Sequence, residues 1–121
     1  MTSKKTLVLG ASENSERYSY RAVKLLVSYG HNVVAVGNRE GTLDDIEIKT
    51  QFPLEKDFDT VTLYLNPQRQ SAYEEDILNI QPKRVIFNPG TENSPFMAKL
   101  ESKGIEALAA CTLVMLSVGN Y

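Results

Sequence analysis

Apolar residues along the chain gather into five short runs separated by longer stretches of mixed character. Lys5–Leu9 (KTLVL) is stopped by Gly10 and Asn32–Val36 (NVVAV) by Gly37, and Thr60–Leu65 (TVTLYL), Arg84–Phe87 (RVIF) and Ile105–Ala109 (IEALA) repeat the form. Short runs rich in Val and Leu and closed by turn residues predict strands buried on both faces of a parallel sheet. Helical spacing fills the gaps. From Arg17 to Tyr29 the residues Tyr18, Ala22, Leu25, Leu26 and Tyr29 share one face, Arg17, Arg21, Lys24 and Ser28 line the other, and Gly30 supplies the terminator. A second helix is predicted to open at Asn66 as cap with Pro67 at its first position, to bury Tyr73, Ile77 and Ile80, and to break at Gln81-Pro82. A third repeats the device with Ser94 as cap, Pro95 first, Phe96, Met97 and Leu100 inward, and Gly104 as stop.

Alternating strands and helices imply right-handed crossovers, and so a doubly wound three-layer α/β sandwich on a five-stranded parallel sheet. The segment Thr42–Phe58, with Ile46, Ile48, Phe52 and Leu54, is less regular and reads as a short helix or an extended piece covering a sheet edge. In such sheets the ligand crevice lies outside the carboxyl ends of the strands. That rule brings together Gly10-Ala11-Ser12, Gly37-Asn38-Arg39, Asn66-Pro67, Asn88-Pro89-Gly90 and the segment around Cys111.

Composition narrows the function classes. With 121 residues, 42% of them hydrophobic and 23% charged, residues 1–121 read as one ordinary folded domain. The single Cys111 rules out an intrachain disulfide, and no charged leader precedes an apolar run, so a reducing, cytoplasmic setting is expected. Every apolar stretch is too short for a membrane helix. A net charge of -2 gives no field for a polyanion, so nucleic acid is not expected as a partner and a phosphate ligand must be held by local geometry. Nothing in the sequence fixes an oligomeric state.

Gly10-Ala11-Ser12-Glu13-Asn14-Ser15 follows the first strand and leads into the first helix. A glycine bend there can turn free amides toward phosphate oxygens, although the same residues would also serve as a bare tight connection. The dinucleotide fingerprint GxGxxG is incomplete, with Ser12 and Ser15 at its second and third glycine positions, and the second strand ends in Val36-Gly37-Asn38-Arg39 rather than in an acid for a ribose. Both features argue against an NAD-type oxidoreductase. Arg17 and Arg21, one turn apart, and Arg39 supply local positive charge.

The run VLGASENSERYSYRAVKLLVSYGHNVVAVGN, with DTVTLYLNP, VIFNPGTEN and ACTLVML further on, resembles the small stand-alone CoA-binding proteins, whose Rossmann-like domain is shared with the alpha subunit of succinyl-CoA synthetase. The resemblance covers essentially the whole chain and is most specific at Gly10-Ala11-Ser12 with Ser19-Tyr20, at Gly30 with Val33–Val36, and at Asn88-Pro89-Gly90 with Cys111. It implies a small-molecule nucleotide ligand, coenzyme A or an acyl-CoA. Gly10, Ala11 and Ser12 would hold its phosphates with Arg17 and Arg21 nearby. Val36, Asn38 and Arg39 would border the adenosine, and Tyr64, Asn66 and Pro67 would line the crevice, with Asn88, Pro89 and Gly90 toward the pantetheine.

Catalytic groups do not stand out. The sole histidine, His31, begins the second strand as an ordinary exposed turn residue, and one five-residue strand puts it roughly 16 Å from the carboxyl edge where Cys111 is expected. That excludes a Cys-His dyad. Cys111 reads as a small core residue at a strand end, or alternatively as a thiol facing that of CoA. One Cys and one His cannot complete a zinc set, and the clusters Asp44, Asp45, Glu47 and Glu74, Glu75, Asp76 read as solvated faces. The expectation is a non-catalytic CoA binder acting as carrier, sensor or regulatory module. The alternatives are an NAD-type nucleotide-dependent enzyme and a scaffold that has lost its ligand.

Overall fold

The computed structural model describes residues 3–121. The elements run β1 (Thr6–Leu9), α1 (Tyr18–Ser28), β2 (Val33–Val36), β3 (Gly41–Leu43), β4 (Ile46–Lys49), β5 (Thr60–Leu63), α2 (Pro67–Gln70), α3 (Glu74–Ile80), β6 (Arg84–Phe87), α4 (Ser94–Ser102), β7 (Glu106–Ala109) and α5 (Thr112–Val118). One sheet has the order β3-β4-β2-β1-β5-β6-β7, parallel throughout except for the outermost pair, β3 against β4. The fold is the expected Rossmann-like α/β sandwich, with all five predicted strands in place.

The strand count differs because Thr42–Phe58 is not merely a cover. Its first part is a hairpin, Leu43 and Ile46 paired across an Asp44-Asp45 turn with Asp44 at φ 54°, and β4 joins β2 in parallel register. Five strands therefore become seven.

Strand parity builds the layers. The odd-numbered residues Leu7, Leu9, Val61, Leu63, Val85 and Phe87 pack with Ile77, Ile80, Phe96 and Leu100 of α3 and α4. Val8 of β1, Ala35 of β2 and Ile48 of β4 pack with Val23, Leu26 and Leu116 of α1 and α5 on the opposite side. Alternation of this kind is what a pleated strand imposes. Phe87 meets Phe96 edge to face at 5.9 Å, an arrangement that contributes about 0.5 to 1.5 kcal/mol beyond area burial.

Several helix readings are corrected. The buried face of α1 is Ser19, Ala22, Val23 and Leu26, whereas Tyr18 is 66% exposed and Tyr29 40%. The face is rotated by about one residue, because small Ala22 and Ser19 let the helix sit close to the sheet. The second predicted helix is two, α2 and α3, and Gln81 ends the pair in a left-handed conformation. Asn66 caps α2 as expected, its Oδ1 accepting the Arg69 amide at 2.9 Å. For α4 the cap is Asn93 rather than Ser94, its Oδ1 accepting from Phe96 at 3.3 Å.

Helix α5 lay outside the expected elements. It covers a polar strip on the sheet: the Thr112 hydroxyl bonds that of Thr62 at 2.8 Å, and its amide donates to Asn88 Oδ1 at 2.8 Å. The chain then reaches the amino-terminal end of the strands, where the Tyr121 hydroxyl bonds Thr6 Oγ1 at 2.6 Å. The closing residues thus pack opposite the crevice. His31 is buried there, not exposed: its Nδ1 accepts the Lys4 amide at 3.0 Å, and its ring lies 4.9 Å from that of Tyr121. At the β7 edge the outward Ala107 amide donates to the Glu101 carboxylate at 3.2 Å.

Candidate functional site

The carboxyl ends of β1, β2, β5 and β6 open into a cleft of about 300 Å³. Gly10 leaves β1 at φ +100°, a conformation that suits glycine, and a Cβ there would press on the Tyr64 backbone at 3.1 Å. The amides of Gly10 and Ala11 both turn inward to the Val36 carbonyl, at 2.8 and 2.9 Å, which fixes the bend against β2. Gly37 lets the second strand approach, since a Cβ on it would collide with the Ala11 carbonyl. Two strand ends are thereby packed so closely that only backbone fits between them.

Beyond the bend, local hydrogen bonds shape the turn. Ser12 Oγ accepts the Asn14 amide at 3.0 Å, and Asn14 Oδ1 accepts the Glu16 amide at 3.0 Å. Because Ser12 Oγ is used as an acceptor, its own hydrogen remains free to donate. The Glu13 carboxylate, which would repel an anion, takes the Thr42 amide of β3 at 2.9 Å and does not line the cleft.

Helix α1 starts at this point without a cap. Arg17 holds the cap position in extended conformation but makes no capping hydrogen bond, and its first turn carries no acidic residue. The amides of Tyr18, Ser19 and Tyr20 therefore lack intrahelical acceptors, beside the positive end of the helix dipole. Tyr18, buried Ser19 and Arg17 all line the cleft. A row of free donors next to a guanidinium is a receptor for an anion of phosphate type.

The opposite wall is made by Tyr64, Leu65, Asn66, Arg69 and Tyr73 after β5 and by Pro89, Gly90 and Thr91 after β6. The Tyr64 hydroxyl is buried without a hydrogen-bond partner, near Thr62 and Thr112, which bond each other. Burial pushes its pKa up to about 12, against the smaller opposing pull of those two hydroxyls. It is a protonated donor at neutral pH. Among the described residues lining the cleft there is no carboxylate, imidazole or thiol, and two guanidiniums, Arg17 and Arg69, give the wall its charge.

Of the residues singled out in the sequence, Gly10, Ala11, Ser12, Arg17, Ser19, Val36, Asn38, Tyr64, Asn66, Pro89 and Gly90 meet in the cleft. Arg21, Arg39, Pro67, Asn88 and Cys111 do not line it. Arg21 lies over the exposed Tyr18 ring at 5.5 Å, and Arg39 is exposed beyond Asn38. Asn88 is a buried brace whose Nδ2 donates to Thr62 Oγ1 at 2.7 Å and to the Leu63 carbonyl at 2.9 Å. Pro67 begins α2, and half-buried Cys111 sits at the cap position of α5. The sequence reading missed Tyr18, Arg69, Tyr73 and Thr91. Arg69 was findable, since the Asn66-Pro67 start fixes the third residue of α2 on the same edge as its cap. No group of three or more His, Cys, Asp or Glu among the described residues could hold a metal ion, and no helix of theirs is long and apolar enough to cross a membrane.

Comparison with known proteins bears on this geometry. The profile of the CoA binding domain family matches residues 4–117. A crystal structure of an uncharacterized protein is 46% identical, with a TM-score of 0.97 and full coverage of both chains. A hypothetical protein from Pyrococcus horikoshii OT3 is 22% identical at a TM-score of 0.86, over 96% of this chain and 83% of that one. The acetyl-coenzyme A synthetase 1 of Ca. Korarchaeum cryptofilum, solved with phosphate and ADP, is 16% identical at 0.73, over 88% of this chain and 25% of that one. Among curated proteins no match was found.

Proposed function

The chain belongs to the CoA binding domain family, and from that premise we propose that it binds coenzyme A or an acyl-CoA in the cleft at the carboxyl edge of the sheet, without acting on it chemically. The observation that carries the proposal is the uncapped start of α1 beside Arg17, facing the Gly10-Ala11-Ser12 bend. The residues present fit the ligand's diphosphate: free amides, a free Ser12 hydroxyl hydrogen and a guanidinium meet at the cleft, and the Glu13 carboxylate is held by β3. Val36 and Asn38 would border the adenosine, while the wall from Tyr64 to Arg69 and from Pro89 to Thr91 would take the pantetheine arm. A cleft of about 300 Å³ is at the small end for ligand sites, so a ligand of CoA size would lie partly in solvent.

The non-catalytic reading is supported by the make-up of the walls. General acid–base chemistry needs a group poised near the working pH, and the described residues lining the cleft include no carboxylate, imidazole or thiol. Such a protein would serve as a carrier, sensor or regulatory module in the cytoplasm. An NAD-type enzyme is less well supported, because Asn38 and Arg39 follow β2 where an acid would hold the ribose.

Calorimetry with CoA, 3′-dephospho-CoA, NAD and ATP tests the reading. CoA is expected to bind best, and Arg17→Ala to weaken it by roughly 1.5 to 3 kcal/mol, the range for hydrogen bonds to charged groups. Silence toward all four ligands would leave the scaffold alternative standing, and turnover of a thioester by the purified chain would refute the absence of chemistry.

A further inference from the structure

Gln70 is a fully buried amide at the end of α2. Its Nε2 donates to the carbonyls of Leu65 and Thr91, both at 2.7 Å, and its Oε1 accepts from Asn93 Nδ2 at 3.0 Å. Leu65 belongs to the loop after β5 and Thr91 to the loop after β6, and both loops line the cleft. Asn88 extends the bracing, since its carbonyl receives the Thr91 amide at 2.9 Å and the Thr91 hydroxyl at 2.8 Å. An amide taken wholly out of water is tolerated only when its donors and acceptor are matched, whereas an aliphatic side chain would fill the same space without that requirement. The turn on the facing wall is tied differently: Ser12 and Asn14 bond within residues 12 to 16, and its one side-chain link to another segment among the described residues is the exposed Glu13 carboxylate on the Thr42 amide, not a buried amide that joins two cleft loops.

We propose that Gln70 is a positioning residue that pins the Leu65–Asn66 and Gly90–Thr91 loops into one preset wall for the pantetheine arm, and thereby sets how strongly the whole ligand is preferred over its nucleotide fragment. The inference rests on the CoA reading, in which the phosphates and adenosine lie against the other wall. Two carbonyls that would otherwise need water are fixed before any ligand arrives, so the ordering cost falls on folding and not on binding.

The test compares the full chain with Gln70→Met, which keeps length and loses all three hydrogen bonds, and with Asn93→Asp. The latter keeps the acceptor that caps α4 and replaces the N–H that orients the Gln70 amide with a charged oxygen facing the Gln70 Oε1 acceptor. Affinities for CoA and for adenosine 3′,5′-bisphosphate are measured by calorimetry, and backbone amide exchange is followed by NMR without ligand. For CoA we expect a loss of about tenfold in Gln70→Met and about threefold in Asn93→Asp, with the bisphosphate within about twofold of the parent. Exchange should quicken at Leu65–Asn66 and Gly90–Thr91 together and stay unchanged from Gly10 to Arg17. Equal loss of both ligands, undiminished CoA affinity, or loosening of one loop alone would overturn the proposal. If Gln70→Met does not fold, Asn93→Asp carries the same readouts. A parent chain that ignores CoA would sink the proposed function, while the exchange data would still decide whether Gln70 couples the loops.

Discussion

Helices α1 and α4 begin at the same edge of the sheet, yet their first turns are finished in opposite ways. Asn93 closes α4 with a side-chain acceptor, and a proline follows within the first two positions. At α1 the cap position holds Arg17, which donates rather than accepts and leaves the first amides open. A cap contributes about 1 kcal/mol to stability, so an uncapped helix start beside a cleft is a local sacrifice of stability that a bound anion would make good. The difference separates a terminus built for folding from one available for a ligand.

The sharpest way to break the comparison is to give α1 the cap it lacks. In Arg17→Asp the new carboxylate can accept the free amides and suits the helix dipole, so the ligand-free protein should gain roughly 0.5 to 1 kcal/mol in denaturant titration. The same change removes a cation and adds a repelling charge, and CoA binding measured by calorimetry should fall by about a hundredfold or more, the sum of a lost charged hydrogen bond and a like-charge penalty. Stability and affinity moving in the same direction would refute the contrast. Next in size, Gly37→Ala drives a methyl into the Ala11 carbonyl and pushes the bend away from β2. A loss of about 1 to 3 kcal/mol in stability is expected from such overpacking, together with weaker CoA binding.

Removing the cap at the other helix has a smaller consequence. Asn93→Ala removes both the cap and the N–H that Gln70 Oε1 accepts, and should cost about 1 to 2 kcal/mol and lower Tm by roughly 3 to 12 °C in a thermal melt. An unchanged melt would mean that α4 is held by its core contacts alone.

The weakest effect belongs to the far end of the sheet. Burial, with help from the nearby charges of Lys4 and Arg84, holds the His31 pKa below its ordinary 6.5, while Asp59 pulls the other way. The folded state thus disfavours the protonated imidazole, and the unfolded chain binds more protons in the window just below pH 6.5. Stability is complete above that value and declines as the pH falls beneath it. His31→Asn, whose Oδ1 can replace Nδ1 as acceptor for the Lys4 amide, should flatten the difference between melts at pH 7.5 and 5.5. An identical pH response in the two proteins would remove His31 from the account.

What could be read in advance follows from how local each signal is. Strands such as Val33–Val36 and Arg84–Phe87 announce themselves because both faces are buried and the run has nowhere to be polar. Gly30 and Gly104 end helices by backbone conformation, at φ +84° and +79°, which needs no tertiary partner. Helix α5 escaped notice because TLVMLSV is apolar on nearly every side and offers no amphipathic period. In α1 the aromatic rings of Tyr18 and Tyr29 imitate a buried stripe while Ser19 faces inward at the cleft. Among site residues, those on the glycine bend were visible from spacing. Asn88 was expected toward the pantetheine and sits as a buried brace; a brace and an exposed donor carry the same side chain, and only the bonds to Thr62 and Leu63 tell them apart.

The carboxylate of Glu101 on the Ala107 amide carries a lesson for how this molecule behaves in company. A half-open outer strand is an invitation for another chain to add itself and continue the ladder, and here the outward Ala107 amide is held by a charged side chain from the neighbouring helix. An incoming strand would have to evict an anion to gain a hydrogen bond, a poor exchange that guards crowded solutions against fibre growth from that border.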